Sequence, residues 1–196
     1  MIVVAAALLA ILSVPLTGGR LSALAELRLR WGWLAVMAVA LQVLLITFLP
    51  ESLPWGVAVA IHLGTYALAA LFVARNRDVP GLWLVAGGGA CNLAAIAANA
   101  GVMPSTAWAR DLAGLPATDA GFTNSAAVAH AHLQPLGDVF GVPGPWPLGN
   151  VFSVGDVLIV IGIAVLAHRA GQRPVTALQA SSSAGTNRSG RVTHTA

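Results

Sequence analysis

The sequence predicts an all-α membrane bundle of five transmembrane helices plus one interfacial amphipathic helix, with the amino terminus outside and the carboxyl terminus inside. Two observations carry this. Of 196 residues, 57% are apolar and 9% charged, a balance that needs lipid rather than water around most of the surface. All ten basic residues are arginine, and nine of them fall on one side, five in alternate connections between the apolar runs and four after the last run. Because cytoplasmic loops collect basic side chains, that alternation orients the helices.

The first apolar run, residues 1–17, is short for about 30 Å of hydrocarbon. Ala23-Leu24-Ala25 fits a signal-peptide cleavage pattern, but no basic residue precedes the apolar stretch, so an uncleaved first span is expected. Gly18-Gly19 ends it, and residues 20–30 then set Leu21, Leu24 and Leu27 at three-residue spacing against Arg20, Glu26, Arg28 and Arg30. That spacing predicts an amphipathic helix lying in the headgroup layer. Trp31 and Trp33 open the second span, 31–49, and the Pro50–Pro54 turn closes it. The third covers 55–74 and ends at Arg75-Asn76-Arg77-Asp78; the fourth covers 81–102 and contains Gly87-Gly88-Gly89, a run suited to close helix packing. The fifth covers 153–168. An outer loop, 103–152, is dense in proline and glycine with a short helix expected around 119–133, and residues 170–196 read as a disordered cytoplasmic tail.

Arg20, Arg28 and Arg30, then Arg75 and Arg77, then Arg169, Arg173, Arg188 and Arg191 mark one side. The other holds Arg110 against Glu51, Asp111, Asp119, Asp138 and Asp156. Chain ends on opposite faces require an odd number of spans, and five satisfies this.

At 1.5 Å per helical residue, Gln42, His62, Asn92, Asn99 and Asp156 all fall in the outer half of the bilayer. Tyr66 shares a helix face with His62, and Asn92 shares one with Asn99. Such groups either bond helices together or line a polar path. The two acids best placed for chemistry are Asp138 and Asp156, which the Pro143–Pro147 turn could bring together. Paired carboxylates can share a proton and activate water. Equally, Ser153 three residues before Asp156 fits a helix capping box, and Asp138 fits a turn.

The stretches Gly18-Gly19-Arg20-Leu21-Ser22, Asn99-Ala100-Gly101-Val102-Met103-Pro104, Leu136-Gly137-Asp138 and Phe152–Ile159 resemble an uncharacterised family of five-span bacterial membrane proteins known only as a domain of unknown function. That resemblance implies the layout and no activity. In the carboxyl-terminal half, Asp138, Trp146-Pro147, Asn150 and Asp156 follow an order similar to that of the lipoprotein signal peptidases, and Gly88-Gly89-Ala90 with Asn92 resembles their glycine-rich third span. This second resemblance implies catalytic roles for Asp138 and Asp156, with Asn92 and Asn150 as orienting groups. The Asp-Arg pair which that family carries soon after its asparagine is missing.

The first expectation is therefore a membrane protein of unknown activity, an envelope or partner-interaction component with an outer polar cluster of Gln42, His62, Tyr66 and Asn99 around Asn92 and Asp156. A membrane aspartyl hydrolase is the alternative, and a small-solute or proton carrier through His62 and Asp156 the third. The expected partners are the bilayer and a second copy or another membrane protein. Sparse aromatics without a basic patch exclude a nucleic-acid footprint. No cofactor is implied, and His130-Ala131-His132 lacks a third ligand for a metal.

Overall fold

The computed structural model describes residues 2–48, 52–115, 125–143 and 149–172. The structure is mostly helical. Helix α1 (Ile2–Leu12) runs into a 3₁₀ turn at Val14–Thr17, where Pro15 ends the α-helical bonding. The predicted interfacial helix over 20–30 is reduced to one turn, α2 (Ser22–Ala25). Helix α3 (Gly32–Val43) widens into a π turn at Leu44–Phe48. Helices α4 (Trp55–Arg75) and α5 (Leu82–Ala98) follow, and α7 (Val154–Gly171) closes the described chain. Among the described residues, only α4 and α7, with 21 and 18 residues, are long and apolar enough to cross a membrane by length and composition. The predicted tail lies outside the described residues from position 173, and α7 itself continues to Gly171.

The all-α expectation needs correction between α5 and α7. Strand β1 (Met103–Ser105) pairs in parallel with β2 (Ser125–Ala127), and β3 (Phe140–Val142) pairs antiparallel with β4 (Asn150–Phe152). Where a helix was expected over 119–133, the described part holds β2 and an irregular turn; residues 116–124 lie outside the described set. The reason is positional. Residues 125–127 gain backbone partners from Met103–Ser105, which outweigh the helical preference of a few alanines. Helix α6 (Ala107–Ala113) is capped by the Thr106 hydroxyl, which accepts from the Ala109 amide at 3.2 Å, and ends at Gly114 in the left-handed region.

The long helices stand side by side in the order α3, α4, α5, α7, α1. Leu34, Phe72, Val73 and Leu82 form the buried core at one end, and Ala95, Ile96 and Met103 at the other. The tightest seam is α5 against α7, and glycine makes it possible. A Cβ on Gly88 or Gly81 would strike the carbonyl oxygen of Gly155 or Gly162, and one on Gly162 would lie 2.7 Å from the carbonyl oxygen of Gly81. Each pair is spaced by seven residues, two helical turns, so the same stripe recurs along both helices. Helix α1 runs parallel to α7: Ile2 and Val3 lie beside Asp156 and Val157, while Ser13 and Thr17 hold the two ring nitrogens of His168 at 2.9 and 3.0 Å.

Candidate functional site

The site is assembled where α5 and α7 meet the strand-rich segment. Ser153 caps α7, its hydroxyl accepting from the Asp156 amide while the Asp156 carboxylate accepts from the Ser153 amide, both at 3.0 Å. Gly155 lets α5 come close enough for Asn92 to join this box: a Cβ at 155 would collide with the Asn92 side-chain oxygen. Asn92 Nδ2 donates to Asp156 Oδ1 at 2.9 Å, and its Oδ1 accepts from the fully buried Ser153 hydroxyl at 2.8 Å. Three side chains from two helices thus close a ring of bonds.

Asp138 reaches the same region from the segment between α5 and α7. Its amide donates to the Pro104 carbonyl at 2.8 Å and its carbonyl accepts from the Thr106 amide at 3.1 Å, which makes it a third strand position beside β1. The β3–β4 pairing folds the chain back between the two aspartates. Burial pushes the Asp138 carboxyl up to about 6, and the Asp156 charge pushes the same way; the neighbouring Ser125 hydroxyl and the Arg110 guanidinium oppose it. Ser125 acts by proximity, since its buried oxygen makes no regular hydrogen bond. Arg110, 3% exposed, donates to the Ser105 hydroxyl at 3.3 Å and the Ser125 carbonyl at 3.2 Å. Sequence reading counted Arg110 only as an outward charge; its signal was that it is a lone cation on an acidic side.

Tyr66, on α4, packs by the core of Ala95, Ile96 and Met103 and lies within electrostatic reach of both carboxylates. Its ring meets the buried His62 ring edge to face, 5.7 Å between centroids. Gln42 stands apart on α3: its side-chain oxygen lies 2.6 Å from the Thr65 hydroxyl, tying α3 to α4. Asn99 caps α5 and grips His132, donating to its carbonyl at 2.7 Å and accepting from its amide at 2.9 Å. Asn150 is not drawn in; its side-chain oxygen accepts from the Val151 amide in β4, and no hydrogen bond links it to either aspartate among the described residues. Asp138, Asp156, Asn92 and Tyr66 therefore form one neighbourhood with His62 at its margin, while Gln42, Asn99 and Asn150 serve separate contacts.

A cavity of about 180 Å³ opens beside Asp156 between α1 and α7, walled by Ile2, Val3, Ala6, Phe152 and Val157. Among the described residues, no group of three or more His, Cys, Asp or Glu side chains could hold a metal ion.

A family model described as a family of unknown function, DUF5317, matches residues 26–168. An uncharacterised protein of Thermotoga maritima is similar, 32% identical over 120 residues, which cover 61% of this chain and 68% of that protein. No solved structure matches. The family match runs from the segment before α3 to His168 near the end of α7 and includes the whole Asn92–Ser153–Asp156 ring, so the chain belongs to the DUF5317 family of unknown function.

Proposed function

We propose that this protein is a five-span membrane component of the cell envelope, amino terminus outside and carboxyl terminus in the cytoplasm, which engages a second copy or another membrane protein through its outer cap. The spanning reading is supported by α4, which at about 1.5 Å per residue covers roughly 31 Å between Trp55 and Arg75. The parallel α1–α7 pair supports an odd number of crossings, since both helices must then start on the same side.

The interaction role rests on how the cap, residues 103–152, is built. Its polar interior is turned inward on Arg110 and Asp138, while α6 presents Trp108, 62% exposed, and Leu112 one turn on. In the outer half of the bundle, Asn92, Asn99, Gln42 and Ser153 spend their hydrogen bonds on holding helices and cap together. A cap hydrogen-bonded to the bundle and carrying an apolar ridge fits docking better than turnover. Two experiments test this in a Cys91→Ala background. Leu133→Cys should react with an impermeant maleimide on intact cells and Arg77→Cys only after permeabilisation; the reverse pattern would overturn the orientation. A photo-crosslinker at Trp108 should give a discrete adduct that Leu112→Ala diminishes, and no adduct would overturn the docking role.

A second reading, a membrane aspartyl hydrolase, is favoured by one observation: the carboxyl of Asp138 is raised beside Asp156, and Asp156 also borders a cavity with apolar walls. Asp138→Asn and Asp156→Asn, made separately, should then each abolish processing of a membrane substrate while leaving the fold intact. Unchanged processing in either variant removes this reading.

A further inference from the structure

At the opposite end of the bundle from the aspartates, the turn before α3 and the end of α4 enclose a polar pocket of about 190 Å³ lined by Arg28, Arg30, Arg75, Asn76, Asp78 and Val79. We infer that this pocket binds the phosphate group of an anionic lipid headgroup, in the leaflet that the arginine-rich face meets.

Three arginines line it against one aspartate. Among the described residues, Arg28 and Arg30 have no ion pair, so their charge is available to a ligand. The pocket is also built rather than incidental. Asn76 is buried at the end of α4 and holds the backbone of Arg30 at both ends, its Oδ1 accepting from the Arg30 amide at 2.7 Å and its Nδ2 donating to the Arg30 carbonyl at 2.8 Å. The next residue, Trp31, takes a left-handed backbone with φ 55°, and the Arg75 guanidinium stacks over its ring at 4.0 Å. Arg75 is thus oriented by an aromatic plane, which leaves its N–H edge for hydrogen bonding. A phosphate presents the oxygens that such planar forks match two at a time.

Depth selects a lipid as the source. Trp31, Trp33 and Trp83 are all exposed at this end, and the Trp83 indole donates to the Arg77 carbonyl at 3.1 Å. Amphipathic rings in a belt settle at the headgroup layer, where the phosphates of a bilayer lie. This step rests on the membrane reading above.

The test uses the full chain in a neutral detergent, titrated with phosphatidylglycerol, phosphatidylcholine or inorganic phosphate and followed by native mass spectrometry. Phosphatidylglycerol should bind about tenfold more tightly than phosphatidylcholine, because only the first carries net negative charge. Arg28→Gln, which removes no tie within the protein, should weaken phosphatidylglycerol by several-fold; Arg28→Gln with Arg75→Gln should weaken it by about tenfold or more. Arg77→Gln, on the same face but outside the pocket, should change it less than about twofold. Equal affinity in wild type and Arg28→Gln would overturn the inference even if the double variant fails to fold. Displacement of the lipid by an equal concentration of inorganic phosphate would overturn the lipid assignment. The binding titration needs no particular orientation, so a failure of the topology labelling and a failure of this pocket read out separately.

Discussion

Asn92 and Ser153 meet across the α5–α7 seam with the Ser153 hydroxyl donating to the Asn92 side-chain oxygen at 2.8 Å, and the other end of the same amide donates to Asp156. One side chain therefore fastens a helix to the first turn of its neighbour. Asn92→Ala deletes both bonds and strands a buried hydroxyl, a loss of about 1–3 kcal/mol. Detergent-resistant folding, followed by helical signal against increasing denaturing detergent, should shift accordingly. An unchanged midpoint would show that the ring is dispensable.

The glycines of the bundle helices separate into two classes, those in this seam and those in open space, that a melting experiment can distinguish. Gly155→Ala drives a methyl into Asn92, and Gly88→Ala drives one into the Gly155 carbonyl and within 2.8 Å of the Ile159 side chain. Each should cost about 1–3 kcal/mol through forced separation of the helices. Gly87→Ala and Gly64→Ala meet nothing within 4 Å. Those two should be neutral or gain up to about 1 kcal/mol, since alanine restricts the unfolded chain and favours helix. If all four behave alike, the seam is looser than its geometry.

Asp138 gives stability a pH dependence of definite sign. Its carboxyl is raised from 3.8 to about 6, chiefly by burial, so the folded chain holds the proton more tightly than the unfolded one. Stability from this group is complete below the unfolded value and falls as pH rises through about 6, by about 3 kcal/mol at most. Unfolding midpoints from about pH 4 to pH 8 should therefore decline more steeply for wild type than for Asp138→Asn. Parallel profiles would remove the carboxyl from the account.

Asn99 holds His132 between two residues with left-handed backbones, His130 at φ 60° and Leu133 at φ 52°. Positions of that kind persist only when their surroundings fix them. Asn99→Ala should raise amide exchange at His132 by about tenfold or more, the equivalent of about 1.4 kcal/mol, while the Ser105–Asp138 bridge stays protected. Unaltered exchange would place the restraint elsewhere.

Much of this architecture was legible because apolar run length and the capping box are local signals. Ser153 and Asp156 announce the start of α7 within four residues, and the structure has that box. The closeness of Asp138 to Asp156 was open in the sequence, since it depends on β3 and β4 pairing across a proline-rich turn. The strands themselves were hidden, because three-residue segments carry too little alternation to detect. Asn76 and His168 passed unnoticed for a related reason. Their partners, Arg30 for one and Ser13 and Thr17 for the other, are distant in sequence and leave no spacing to read.

The repeating glycine contacts between α5 and α7 also determine which parts of the molecule can shift. A one-turn slide, about 5.4 Å, would bring side-chain-bearing residues opposite backbone where only hydrogen atoms now fit. That helix pair is therefore a fixed spine, with α1 fastened to it through His168. Between α4 and α5 the one close glycine contact among the described residues is Gly101 against Val59, beyond the end of α5, and along the helices lies an apolar gap of about 270 Å³ reaching from Val73 and Val85 to Tyr66 and Leu93. Packing is therefore closest along the spine and more open on its α4 side. Tyr66 stands at that more open boundary, within electrostatic reach of both aspartates.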